Sequence, residues 1–253
     1  MTSAFGADPE LVGRPGPVRA GVAHVHLGAA AHAADLDTNV GHAVNSSPSR
    51  IGFVIPAVVL AAGRSTRMGR SKPLLPLTAS DTFVSRIVRT FLDAGVDDVV
   101  VVLGHEAEAV VEGLRATGLA VRIVTNARYD SGQFSSVLAG LNAIDRPGVT
   151  GMLLTLVDVP LVAASTVRDV VDRHRATGAP IVRPVRGVEH GHPVLIDRVL
   201  FAALRAADPS TGAKPIVRGH VSAAGEVEVD DDGAFLDIDT PEAYQQAMVT
   251  GFR

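Results

Sequence analysis

From residue 54 onward, runs of small and β-branched apolar residues alternate with amphipathic stretches. "AVVLAA" (57–62), "DVVVVLG" (98–104), "AVRIVTN" (120–126), "GMLLTLVDVP" (151–160) and "PIVRPV" (180–185) are predicted as strands. Their uninterrupted apolar stretches require cover on both faces of a sheet. Between them, "TFVSRIVRTFLDAG" (82–95) sets Phe83, Ile87, Val88, Phe91 and Leu92 on one helical face and stops at Gly95. Further helices are predicted over 106–118, 134–145 and 165–178. Strand and helix in alternation mean βαβ units and a mostly parallel sheet, hence an α/β fold. Beyond residue 186 the order loosens. A short strand at Pro193–Ile196, a helix near 197–206, a strand near 225–230 and a last helix from Thr240 complete the prediction. No internal repeat is visible.

Residues 1–52 break this pattern. They are rich in Ala, Gly, His, Pro and Ser and show no sustained periodicity. They read as a low-complexity, disordered extension, or as a stretch ahead of the true start, before a domain spanning 53–253. His24, His26, His32 and His42 invite a metal reading, but histidines scattered through an Ala/Gly-rich stretch read as solvated.

Composition narrows the function classes. The chain has 253 residues, 47% of them hydrophobic, enough for one large domain. The net charge of −4 argues against general nucleic-acid binding. Aromatics are 4% with no Trp, which disfavours a base-stacking platform for single strands. The absence of Cys excludes disulfides, thiolate metal sites and a Cys nucleophile. No apolar run approaches the roughly 20 residues that cross a bilayer, and the first residues lack a signal-peptide pattern. A cytoplasmic protein is expected.

In an open parallel sheet, ligands bind at the carboxyl ends of the strands. The loops that matter are therefore Gly63–Lys72, Gly104–His105, Asn126–Ser136, Asp158–Pro160 and Arg186–His192. The first, in "VVLAAGRSTRMGRSKPLLPL", carries Arg64, Arg67, Arg70 and Lys72 straight after a strand. Its backbone N–H groups can form a nest for phosphate oxygens, and arginines supply forked donors. It is neither a Walker A loop nor GxGxxG; the competing reading is a solvated basic turn. Asp158 in "TLVDVP" is delivered by an apolar strand into the ligand crevice. It is either a ligand of a hard cation such as Mg²⁺ or a cap for the next turn. In "FLDIDTPEAY" (235–244), Asp237 and Asp239 alternate along a strand-like stretch and point to opposite sides, so one faces the site. The same residues also look like a helix start, with Asp239 or Thr240 as cap. In "GVEHGHPVLI", Gly191, His192 and Pro193 form a turn in which His192 is structural or touches substrate. In "NARYDSGQFSSVLAGL", Gly132 leads into a helix at Ser135–Ser136 that can meet a polar ligand; the alternative makes Ser135 a simple N-cap.

Together these motifs resemble the MobA-like nucleotidyltransferases. "LAAGRSTRMGRSK" is similar to their signature loop. "NARYDSGQFSSVLAGL", "VDVP", "GHPVL" and "LDIDTPE" recur in the order seen in the molybdenum cofactor cytidylyltransferase branch, over about 57–248. The resemblance implies a three-layer Rossmann-like nucleotide-diphospho-sugar transferase fold. It implies Mg²⁺-dependent transfer of NMP from an NTP to a phosphorylated acceptor such as molybdopterin, with release of pyrophosphate. By position, Leu60, Ala61, Ala62, Gly63, Arg64, Ser65, Lys72 and Ser136 would bind the nucleotide. Arg67, Lys72 and Asp158 would act in catalysis. Asp158 and Asp239 would hold Mg²⁺, and Gly191, His192 and Pro193 would meet the acceptor. Ala62 stands where the guanylyl-transferring branch tends to have Gly, which leans towards CTP. A molybdoenzyme or its maturation factor is an implied partner, and neither nucleic acid nor membrane is. Two departures touch the acceptor. Val159 replaces the usual Gln of the D-x-P motif, and a "GDKGAR"-like stretch appears only as "PSTGAKPIVR" (209–218). They keep open another acceptor, such as a sugar or polyol phosphate, and a cofactor-binding accessory protein without turnover.

Overall fold

A computed structural model describes residues 54–250. The reading of residues 1–52 as an extension falls outside the described residues. The strands are β1 (Ala57–Ala61), β2 (Val99–Leu103), β3 (Arg122–Thr125), β4 (Gly151–Leu156), β5 (Ile181–Arg186), β6 (Glu189–His190), β7 (Val194–Asp197) and β8 (Glu226–Glu228). The helices are α1 (Phe83–Asp93), α2 (Ala107–Ala116), α3 (Gln133–Ile144), α4 (Ala164–Thr177), α5 (Phe201–Ala206), α6 (Lys214–His220) and α7 (Pro241–Thr250).

They build one sheet in the order β3-β2-β1-β4-β7-β5-β6, with β8 paired to β5. β1 pairs in parallel with β2 and β4, and β2 with β3. β7 is reversed: it lies antiparallel to both β4 and β5. Its first residue, Val194, therefore sits beside Leu154, near the carboxyl end of β4.

The uninterrupted strands bury both faces, as period-two alternation requires. Ala57, Val59, Val99, Val101 and Leu153 pack with Val84, Val88, Leu114 and Val170 of α1, α2 and α4. Val58, Val100, Val102 and Met152 pack with Val137, Leu141 and Leu204 of α3 and α5. The result is the expected three-layer α/β/α sandwich with a mostly parallel centre. α3 lies close on β1. A methyl group at Gly140 would stand 2.4 Å from Val58, so only glycine permits this approach. α1 starts with a capping box, in which Thr82 and Ser85 each accept from the other's backbone N–H.

A third cluster joins Met68, Leu75, Leu77 and Phe83 to Ile238 and Ala247. It pins the loop after β1 to the last segment of the chain. Tyr244 strengthens the joint by donating its hydroxyl to the Pro76 carbonyl at 2.6 Å.

The expected helix over 197–206 is a 3-10 turn, Arg198–Leu200, capped by Asp197, followed by α5. α6 and β6 were not anticipated; they have seven and two residues, too short for a period to register. The strand-like stretch 235–239 is irregular backbone, without ladder pairing.

Candidate active site

A cleft of about 190 Å³, partly open to solvent, lies at the carboxyl ends of β1 and β4. Leu60, Ala62, Gly63, Ser65 and Lys72 line one side, Asp158 the end of β4, and Ser136 the start of α3. Ala61 turns its side chain into the core instead. The loop winds tightly. Ser65 adopts the left-handed φ of 53° and its carbonyl accepts from the N–H groups of Met68 and Gly69. Its hydroxyl accepts from the Lys72 N–H at 3.0 Å. Among the described residues, the N–H groups of Gly63 to Arg67 find no protein acceptor. They are free donors at the mouth of a cleft, as an anion nest needs.

Charge concentrates at one end. The buried Lys72 ammonium lies 2.6 Å from Asp239 Oδ1 and 3.5 Å from Asp158 Oδ2. Arg67 Nη1 lies 2.9 Å from Asp239 Oδ2. The two carboxylates are treated unequally. The Lys72 hydrogen bond holds Asp239 below the usual carboxylate range. Burial pushes Asp158 above it; Asp237 and Asp239 push the same way, against the attraction of Lys72. Of the two later aspartates, Asp239 is the one that contacts Lys72. Asp237 is exposed and bears on Asp158 through its charge alone.

Asp158 Oδ1 is buried and has no hydrogen-bond partner. An orphaned oxygen on a carboxylate that shares Lys72 with Asp239 fits a divalent cation. No group of three His, Asp or Glu among the described residues is arranged to hold a metal alone. This suits an ion held by one or two carboxylates and completed by substrate phosphates. The capping alternatives resolve separately. Asp231 Oδ2, not Asp158, accepts from the Ala163 N–H and the Thr166 hydroxyl at the start of α4. Thr240, not Asp239, accepts from the Ala243 N–H at the start of α7.

The reversed β7 brings Gly191, His192 and Pro193 to the same edge. His192 Nδ1 lies 3.4 Å from the Leu154 carbonyl. Burial holds its pKa below the ordinary histidine value, although Asp237 and Asp158 lie near enough to oppose this. A methyl group at Gly191 would stand 2.5 Å from the Ala234 carbonyl, so glycine lets the 231–238 segment pass.

On the far side, Asn126 donates to the hydroxyls of Ser135 (2.8 Å) and Ser136 (3.0 Å). Ser135 is not an N-cap. α3 begins two residues earlier, after Gly132, and the Ser135 hydroxyl donates to the Gly132 and Arg128 carbonyls. Arg64 lies outside the cleft wall and pairs with Asp130 through two nitrogens, at 2.9 and 2.8 Å. Val159 is buried in the first core layer, away from the cleft. The 209–218 stretch reaches α3 instead, with Gly212 facing Phe134. Sequence reasoning passed over Tyr129, Gln133 and Val157, which also line the cleft. The aromatic at 129, inside a quoted motif of an aromatic-poor chain, was the available signal for the first.

Known proteins resemble this chain in sequence and fold. The model of the MobA-like NTP transferase domain matches residues 57–225, a span that stops short of Asp237 and Asp239. The chain is 35% identical to nicotine blue oxidoreductase of Paenarthrobacter nicotinovorans over 206 residues, 77% of this chain and 96% of that protein. The crystal structure of Rv0371c from Mycobacterium tuberculosis superposes with a TM-score of 0.65 at 31% identity, covering 78% of this chain and 98% of that one. That protein has also been solved as a complex with manganese. A nucleotidyl transferase from Methanothermobacter thermautotroptrophicus superposes with a TM-score of 0.66 at 28% identity, covering 79% and 98%.

Proposed function

The chain belongs to the MobA-like NTP transferase family, and from that premise we propose that it transfers a nucleotidyl group, CTP being the favoured donor, to the phosphate of a small acceptor such as molybdopterin in the cytoplasm. The observation that carries this reading is the pairing of Lys72 with Asp158 and Asp239 beside a loop of free N–H donors. A cation for phosphate and carboxylates for a metal stand within ion-pair distance of each other, 2.6 and 3.5 Å from Lys72 Nζ.

The chemistry needs little from the protein beyond placement and charge. An acceptor phosphate oxygen attacks the α-phosphorus, and the bond from that phosphorus to the pyrophosphate oxygen breaks. The Gly63–Arg67 backbone would receive phosphate oxygens. Lys72 and Arg67 would turn from the carboxylates to the triphosphate and stabilise the departing pyrophosphate. Asp158, with Asp239 or Asp237, would hold Mg²⁺, which when bound supplies further neutralisation of phosphate charge. Gly191, His192 and Pro193 would meet the acceptor, with His192 kept neutral by burial.

The test is pyrophosphate release with Mg²⁺ and each of the four NTPs, with and without a molybdopterin-type acceptor. Asp158→Ala is the control. Acceptor-dependent release with CTP, lost in the variant, is expected. Release with a sugar or polyol phosphate would keep the reaction and change the acceptor. Nucleotide binding without any release would identify an accessory binder. The likeness to nicotine blue oxidoreductase favours a second reading. In it, the same cleft supports an oxidoreductase reaction. Oxidation of NADH or NADPH by an aromatic acceptor, without pyrophosphate release, would establish it.

A further inference from the structure

The chain holds only two tyrosines and no tryptophan. The two are used differently. Tyr244 is tied into the structure by its bond to the Pro76 carbonyl. Tyr129 is half-buried and lines the cleft, and among the described residues its hydroxyl has no hydrogen-bond partner. Its ring is nevertheless held in place. It seats on Gly104, where a methyl group would stand 2.6 Å from both Tyr129 Cβ and Cγ. The Arg64 guanidinium lies 5.6 Å from the ring centroid and is itself anchored on Asp130. The His105 ring stands 6.2 Å away.

The position of this ring in the sheet gives it a purpose. Gly104 follows β2, and Asp158 follows β4, with β1 between them. Two strand spacings separate these ends by about 10 Å. A nucleoside can lie across that distance with its phosphates at Lys72 and its base at the far wall. Resting on the nucleotidyl-transfer reading, we infer that Tyr129 is the nucleobase wall of the cleft. Its ring and free hydroxyl meet the base, and Gly104 and Arg64 fix where the ring stands.

Two tyrosines make the test direct. The full chain is prepared with ¹³C-labelled tyrosine rings, and the two signals are assigned with Tyr244→Phe. CTP, UTP, ATP and GTP are titrated with Mg²⁺ and no acceptor, and affinities are measured by calorimetry. Tyr129 resonances should move under the ring current of the base while those of Tyr244 stay. Tyr129→Ala should weaken nucleotide binding about tenfold, the scale of one base–aromatic contact. Gly104→Ala, which displaces the ring, should act in the same direction. Inorganic tripolyphosphate should bind wild type and Tyr129→Ala alike. Equal weakening of nucleotide and tripolyphosphate would make Tyr129 a structural residue only and overturn the inference. So would nucleotide binding that leaves its signal unmoved. Failure of wild type to bind any nucleotide overturns the transfer reading itself and takes this inference with it.

Discussion

Two clusters of aspartate and cation sit at opposite edges of the same sheet. At the amino edge, Asp98 precedes β2 and receives Arg122 Nε on Oδ1, and Arg122 Nη2 and Arg146 Nη2 on Oδ2, at 2.8, 3.0 and 2.7 Å. At the carboxyl edge, Asp158 has one oxygen near Lys72 and one with no partner. Burial does not separate them, since their side chains are 15% and 21% exposed. Saturation does. Burial alone would raise the Asp98 pKa, but its arginine hydrogen bonds outweigh this and bring it below the usual range. Asp158 stays above that range. A saturated cluster is finished by folding. An unsaturated one, with Asp237 and Asp239 adding negative charge, is finished only by a ligand, and a perturbed acid in a cleft marks a functional site.

Substitutions should divide along the same line. The largest effect is expected from Asp158→Ala, which should lower pyrophosphate release by about 10³-fold while the protein stays folded, the scale of losing a central electrostatic group. Lys72→Ala should lower kcat by about 10²-fold with a smaller rise in KM, measured by steady-state kinetics. Equal kcat with only a raised KM would remove Lys72 from the transition state. Asp98→Asn should leave kcat near wild type but cost about 2 kcal/mol of stability, seen as a lower midpoint in thermal denaturation.

Acid should act through Asp98 with a definite sign. Its folded pKa is depressed, so its stabilisation is present above the unfolded carboxylate pKa and is lost as pH falls through the folded one. The stability gap between wild type and Asp98→Asn should therefore narrow in acid. Asp158→Asn should do the reverse of Asp98→Asn. Without ligand it removes a poorly compensated buried charge, and the melting point should rise by about 2 °C. Arg64→Ala breaks an exposed pair and should leave the thermal midpoint essentially unchanged.

The contrast also explains what could be read ahead of the structure. Strands such as 99–103 announce themselves because both faces are buried, and their ends locate the loops that carry Lys72 and Asp158. Asp98 looked like any acid before a strand; its value depends on Arg122 and Arg146, which only the parallel register brings to it. The approach of Asp239 to Lys72 depends on irregular backbone held by Ile238 in the third core cluster. Nothing periodic encodes that. The seat of Tyr129 depends on Gly104, which only the fold brings beneath it.

The reversed β7 has one further consequence. Residues 57–158 reach the cleft from strands that end there, while residues 191–193 reach it from a strand that begins there. On the proposed reaction, the two substrates would thus be served by separate stretches of chain that meet at the β4–β7 seam. Mutation can remodel the later stretch while the earlier one stays intact. A lineage built on this scaffold can change acceptors across generations without relearning how to hold its nucleotide.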